Sequence, residues 1–354
     1  VTLCLVTKGR SEYLVKLLDS FSEIGKFGHV NFLIILNGAA PDIVDEFIKW
    51  SKNFEEKVTL RIFADNDARI SSYWPDILEV KTDWIIFPSD DDYLKPNFFK
   101  NWIAFVSGFS QCDVIASSLD LVDSKGKKLG IRKSPTFSST ISFTELAAKA
   151  FSECPFLWPG LIVRVENLPR NIPPTRYVVD WWIGLYLLFT SKIMSTPESY
   201  TWYRVHDSQE SNVASQTRKN LEALYHLGEF VQSSIFSNWI NSCTTLDLKN
   251  FLYFLCKYPP LYGDSNFSAE FVSILTHRIM LIRKEVEVQK FALFTNAFAH
   301  GVLLDNFQLK YIDPKTSAIQ KSKQEYNFIV QLDNFACLKV RKLEASKKDK
   351  LDHF

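Results

Sequence analysis

The chain has 354 residues, 46% hydrophobic and 23% charged, with a formal net charge of +1. That balance is ordinary for a globular protein, and the length leaves room for two or three domains. The near-zero charge supplies no global field for nucleic acid, no apolar run reaches the length of a membrane span, and no signal peptide is expected ahead of the first strand. Six cysteines, Cys4, Cys112, Cys154, Cys243, Cys256 and Cys337, stand far apart without zinc-ligand spacing, so free thiols in a reducing compartment are expected. The 29 phenylalanines point to a core rich in aromatics.

Val1 to Thr7 reads as a buried strand, followed by a turn at Lys8-Gly9-Arg10. Ser11 suits the N-cap of a helix carrying Leu14, Leu17, Leu18 and Phe21 on one face. Phe32 to Leu36 is a second strand, closed by Asn37-Gly38, and Ile43, Val44, Phe47 and Ile48 mark a second helix. Val58 to Phe63 is a third strand, with Asp65-Asn66-Asp67-Ala68-Arg69 after it and a helix over 70–80. Trp84-Ile85-Ile86-Phe87 is a fourth, and it runs through Pro88-Ser89 into Asp90-Asp91-Asp92. Strands alternating with helices in this way predict a mostly parallel sheet covered on both sides. Polar residues would then gather on one rim: Thr7, Lys8 and Arg10; Asn37; Asn66 and Arg69; and the three aspartates.

Further along, Phe98, Phe99, Trp102 and Phe105 have helical spacing, Asp113 to Ala116 reads as a strand, and 123–142 reads as loop. A helix capped by Ser142 or Thr144 follows, then a strand beginning at Trp158-Pro159-Gly160. A proline-rich loop over 167–176 leads to a helix opened by Val178-Val179-Asp180-Trp181-Trp182, and Tyr200 to Val205 is a strand ending at His206-Asp207. After about residue 212 long helical patterns dominate, such as Leu221 to Ile240, Leu246 to Cys256 and Phe267 to Ile282, and chemistry-bearing clusters stop. The basic run Lys339-Val340-Arg341-Lys342, continued by Lys347-Lys348-Asp349-Lys350, reads as a solvated tail, with a membrane surface or a nucleic acid as the lesser alternative.

The aspartates carry the sharpest signal. Adjacent like charges repel and need water or a cation. Carboxylates at a strand's C-terminal end are hard oxygen ligands for Mg²⁺ or Mn²⁺, at the edge where open α/β sheets bind their ligands. The competing account is an acidic turn in which Asp92 caps the next helix. No glycine-rich dinucleotide fingerprint and no Walker-type loop follows the first strand, so a phosphate would meet a metal and isolated cations.

Val1 to Arg10, Leu36-Asn37-Gly38, Asp67-Ala68-Arg69, Phe87 to Asp92, Asp180-Trp181 and Tyr203-Arg204-Val205-His206 occur in an order that resembles the family 2 glycosyltransferases, inverting enzymes of the GT-A fold. The resemblance covers roughly residues 1–210. It implies a GT-A transferase domain there and leaves 211–354 as a helical C-terminal region for packing, oligomerisation or acceptor binding. It places Thr7 beside the nucleotide base, with Lys8 and Arg10 close by. It puts Asn37 where the family has an acidic base-reading residue, and Arg69 near base and phosphates. Asp90 would hold the ribose. Asp91, or second Asp92, would bind Mn²⁺ or Mg²⁺, and His206 matches a histidine after the last core strand. Ser89 stands in for the first aspartate of the commoner motif, which leaves the metal register open by one residue. Asp180 matches the general base, and Trp181 and Trp182 would desolvate it and raise its pKa.

The resemblance implies a nucleotide sugar donor, UDP-linked, and a saccharide or other hydroxyl acceptor, in surface polysaccharide assembly. The expected setting is cytoplasmic, with room for peripheral contact at the inner membrane face and for a homo-oligomer through the helical region. Each residue has a plainer role too. Asp180 suits an N-cap, Arg69 an ion pair with Asp65 or Asp67, Thr7 and Asn37 strand-end turns, and His206 an ordinary turn histidine. Trp158, Trp181 and Trp182 are either core or platforms for a sugar ring. The competing functions are a sugar nucleotidyltransferase and a degenerate transferase domain that binds carbohydrate without turnover.

Overall fold

In the computed structural model, each apolar run of the first ninety residues is a strand and each amphipathic stretch after it a helix. The structure describes residues 1–9, 11–54, 56–64, 69–134, 141–156, 158–174, 178–206, 216–257, 265–299, 302–304 and 340–342. Arg10, the 65–68 segment, Asp207, His300, Cys337, Lys339 and the 347–350 run lie outside them.

The chain forms two compact units, one of residues 1–142 and 153–230, the other of residues 143–152 and 231–354. In the first, strands β1 (Thr2–Thr7), β2 (Asn31–Asn37), β3 (Val58–Phe63) and β4 (Trp84–Ile86) are joined by helices α1 (Ser11–Gly25), α2 (Pro41–Ser51) and α3 (Ile70–Leu78). Strand β5 (Tyr93–Leu94) and helices α4 (Pro96–Lys100) and α5 (Trp102–Ser107) lead to β6 (Val114–Ser117), β7 (Leu119–Val122) and β8 (Lys128–Arg132). Strand β9 (Leu161–Arg164) follows later, then helix α7 (Val179–Thr190) and strands β10 (Ile193–Thr196) and β11 (Thr201–Arg204). The main sheet has the order β10-β6-β9-β4-β1-β2-β3, and a smaller sheet the order β5-β11-β7-β8. Strands β3, β2, β1 and β4 are mutually parallel, and β9 is the antiparallel member between β4 and β6. The C-terminal ends of those four parallel strands therefore share one rim, as the alternation of elements implies.

Continuous apolar runs suit strands buried on both faces. Strands β1, β2 and β4 are buried almost throughout, whereas the edge strand β3 alternates between half-buried and exposed residues. One core joins Leu3, Leu5, Phe32, Ile34 and Ile86 of the sheet to Leu17 and Phe21 of α1 and to Phe47 and Trp50 of α2. Phe32 meets Trp50 edge-on with ring centroids 5.2 Å apart. The turn after β1 depends on Gly9, at φ +75, where a Cβ would fall 2.3 Å from Ile43 Cγ2.

Three expectations fail locally. The 123–134 stretch is a hairpin, with Lys128–Arg132 as an edge strand and Gly126 at φ +85 in its turn. Its residues are mostly exposed, so no hydrophobic alternation marked it. Trp158–Gly160 is a 3₁₀ turn and the strand begins at Leu161, while the short edge strand Ile193–Thr196 went unread. The single long pattern from Leu221 to Ile240 is two helices, α8 (Gln216–Gln232) and α9 (Ser234–Ser242), because the Ser233 side chain accepts from Phe236 N and caps the second.

The second unit is helical, with α6 (Phe143–Ser152), α9, α10 (Thr245–Lys257), α11 (Ser265–Ile282) and α12 (Val286–Ala299). Phe151 is its hub, with ring centroids 5.8 Å from Phe236, 5.9 Å from Phe251 and 5.8 Å from Phe271. His226 of α8 and His277 of α11 sit within helices, as their spacing implied, and burial pushes His226 down to about 4. Part of the basic run is not tail: Val340–Lys342 pairs antiparallel with Val302–Leu304. Cys4, Cys112, Cys154, Cys243 and Cys256 are free thiols. Among the described residues no helix is long and apolar enough to cross a membrane.

Candidate functional site

The rim is built around the turn that leaves β4. Asp90, Asp91 and Asp92 are all buried rather than spread into water. Three adjacent carboxylates under cover repel one another, and each loses hydration. Each is held by a different residue, Asp90 from the end of β1 and Asp91 and Asp92 from the end of β11. The Thr7 hydroxyl, at the end of β1, donates to Asp90 Oδ2 at 2.7 Å and accepts from Gly9 N at 2.8 Å. His206 Nε2, just after β11, shares a hydrogen bond with Asp91 Oδ2 at 3.0 Å. Arg204 N, within β11, donates to Asp92 Oδ1 at 2.8 Å.

The three carboxylates consequently differ. Asp92 has no exposed surface and its Oδ2 is buried without a hydrogen-bond partner. Burial first, and then the charge of Asp91, push its carboxyl well above the usual range, and the Arg204 N–H pulls only part of the way back. The expected helix capping by Asp92 is absent: α4 begins after Lys95, which makes no side-chain cap. Asp91 is paired with an imidazole, the arrangement of two side chains able to share a cation. The His206 ring is itself set by Tyr13, with centroids 5.0 Å apart.

Asp180 lies in the first turn of α7, behind Val178 at the N-cap. Val178 therefore takes the capping position that the sequence offered to Asp180. Burial pushes the Asp180 carboxyl up to about 6, against the pull of the backbone amides of Trp181 and Asp180. Trp181 is core, at 1% exposure. Trp182 stacks on Tyr186 with centroids 5.7 Å apart, and Trp158 stacks on Phe87 at 4.3 Å.

Residues 154–156 and Trp158 lie against both α7 and Phe87, the residue that leads into the aspartate turn. Trp158 packs on Phe87 at the foot of the aspartate turn. Pro155 and Phe156 lie so close to Gly184 of α7 that a Cβ there would come within 3.0 Å of Pro155 Cγ. The Cys154 thiol feels the charge of Asp180. Arg69 makes a further tie: it is exposed, and its guanidinium donates to Pro174 O at 2.8 Å, in the loop that leads into α7. The expected ion pairs of Arg69 with Asp65 or Asp67 fall on residues outside the description. Lys8 is half-buried beside Gly9, and Asn37 is buried at the end of β2, level with Phe63 of β3.

One residue of this site had no role assigned from the sequence. Arg204, at 1% exposure, donates through Nε to Asp91 O at 2.7 Å and through a terminal nitrogen to Ser124 O at 3.0 Å. Its guanidinium carbon lies 4.0 Å from the Tyr13 ring centroid and 5.6 Å from that of Tyr93. The available signal was an arginine closing a strand right after Trp202 and Tyr203, two residues before the histidine.

No protein-family profile matches the chain, and no curated protein sequence does. Solved structures do. S. aureus TarS 1–349 aligns with a TM-score of 0.53 at 12% identity, over 94% of this chain and 99% of that one. The same fragment in complex with UDP-GlcNAc gives 0.47 at 12% identity, over 92% and 98%. The Pyrobaculum calidifontis mannosyltransferase PcManGT, in complex with GDP-Man and Mn²⁺, gives 0.45 at 9%, over 84% and 86%. At these identities the likeness concerns architecture: the chain has the GT-A type of fold, with a mostly parallel central sheet flanked by helices.

Proposed function

We propose that the chain is a metal-dependent inverting glycosyltransferase of the family 2 type, which moves a sugar from a UDP-sugar to a hydroxyl acceptor. The observation that carries this is the aspartate turn: three covered carboxylates at the C-terminal end of a parallel strand, Asp90 braced from the end of β1 and Asp91 and Asp92 from the end of β11. The choice of a UDP-linked donor follows the resemblance of residues 1–210 to the family 2 enzymes.

Among the described residues no three His, Cys, Asp and Glu side chains converge as a ready-made metal cage. A small hard cation does not need one, since such ions are commonly held by one or two side chains, waters and substrate phosphates. Asp91 Oδ2 and His206 Nε2 are the fitting pair, and the imidazole favours Mn²⁺ over Mg²⁺. Asp92, fully covered, serves the turn rather than the ion. When bound, the cation supplies charge neutralisation for the departing diphosphate.

The chain's own groups do the rest. Asp90, fixed by Thr7, faces the ribose side of the donor, and Arg69 adds positive charge toward the phosphates. Asp180 as carboxylate takes the acceptor hydroxyl proton as that oxygen bonds to the anomeric carbon. The carbon–oxygen bond to the diphosphate breaks with its electron pair leaving on the diphosphate. Attack opposite the leaving group inverts the centre with a single base.

Two outcomes test this in one assay. Incubated with a panel of nucleotide sugars and Mn²⁺, the protein is expected to release UDP. Pyrophosphate would indicate a sugar nucleotidyltransferase, and binding without turnover a carbohydrate-binding module. The rate should also follow Asp180. A base works only when ionised, and burial raises this carboxyl to about 6. Turnover should therefore rise with pH through about 6 and level off above it; a rate already flat from pH 5 upward would remove Asp180 as the base.

A further inference from the structure

We infer that Arg204 is a positioning residue for the cation pair, an inference that rests on Asp91 and His206 being the proposed ligands. A guanidinium at 1% exposure is costly unless its donors are met. Here Nε and a terminal nitrogen take main-chain carbonyls, those of Asp91 and Ser124, from two different turns. The Arg204 main chain also holds Asp92 Oδ1. One residue thus grips the aspartate turn at two successive points just after the Asp91 Cα, by the carbonyl of Asp91 and the side chain of Asp92.

The grip leaves the Asp91 carboxylate to His206. His206 is only two residues beyond Arg204, and Tyr13 contacts both, lying under the guanidinium and against the imidazole. The two proposed ligands therefore come from segments that Arg204 joins directly. Displacing Arg204 shifts the Asp91 backbone and the approach to His206 together. Arginine suits this better than lysine, because its rigid fork addresses two carbonyls at fixed angles while an ammonium is a point donor on a flexible stem.

The test is UDP binding as a function of Mn²⁺ concentration, measured on the wild type, Arg204→Lys, Asp91→Asn and the double variant. Arg204→Lys is expected to raise the Mn²⁺ concentration for half-maximal UDP binding by about tenfold, in the range seen when a metal ligand's support is removed. UDP affinity at saturating Mn²⁺ should return to the wild-type value. In the Asp91→Asn background the lysine substitution should add nothing further. A purely structural arginine would lower the melting temperature and leave the Mn²⁺ midpoint where it was, which overturns the inference. A wild type that responds to Mn²⁺ while Arg204→Lys responds identically rejects Arg204 alone; a wild type indifferent to Mn²⁺ rejects the metal site as well. If Arg204→Lys does not fold, Tyr93→Leu, which removes one ring beside the guanidinium, is expected to shift the midpoint in the same direction, and an unshifted midpoint overturns the inference.

Discussion

Asp180→Asn is expected to abolish sugar transfer, by roughly 10²- to 10⁴-fold, while UDP affinity in the presence of Mn²⁺ stays unchanged. An amide of the same shape cannot take a proton from the acceptor hydroxyl, while the aspartate turn keeps its own braces from Thr7, His206 and Arg204. The substitution should also change how stability depends on pH. Burial raises the folded-state carboxyl to about 6 from 3.8, so between those values the folded protein holds more protons than the unfolded one. Stability owed to this group is then full below about 4 and is lost as pH rises through 6. Asn carries no charge to bury, so the variant should be at least as stable as the wild type above pH 6, as sites that trade stability for chemistry tend to be. Single-turnover transfer and a pair of melting curves at pH 4 and pH 7 check both halves. Transfer at the wild-type rate would place the base elsewhere.

The order of the first four strands was legible because each is a short apolar run closed by polar residues, and parallel pairing forces their ends to one rim. That is why Thr7 and Asp90, 83 positions apart, can be placed together before any coordinates are seen. Edge strands were harder to read. Lys128–Arg132 and Ile193–Thr196 bury too little of themselves to show a period. The aspartates were visible as a run, but not the difference among them. Only tertiary contacts decide that Asp92 is sealed beneath Arg204 while Asp91 meets an imidazole.

Arg204 had the same difficulty. A buried cation in a strand reads as an anomaly until its carbonyl partners, Asp91 and Ser124, arrive from turns 113 and 80 positions away. The tryptophans divided according to burial. Trp181 belongs to the core, whereas Trp158 and Trp182 are half-buried with one aromatic neighbour each. The helices of the second unit repeat apolar residues at helical spacing around Phe151, and among the described residues no group of three His, Cys, Asp and Glu side chains converges there, so their sequence spoke of packing and not of a ligand.

Everything proposed for the rim converges on Asp91. Its carboxylate is the one that faces a potential partner ligand, and Asp91→Asn removes the anionic member of that pair while preserving its shape. The amide still hydrogen-bonds His206 but is a poor ligand for a hard cation. Calorimetric titration of UDP, with and without Mn²⁺, into the wild type and Asp91→Asn is the direct measurement. The wild type should bind UDP more tightly with Mn²⁺ by about tenfold or more, the scale on which losses around metal ligands are felt. The variant should bind it equally weakly in both conditions. Equal enhancement by Mn²⁺ in the two proteins would contradict the assignment of the metal to this turn.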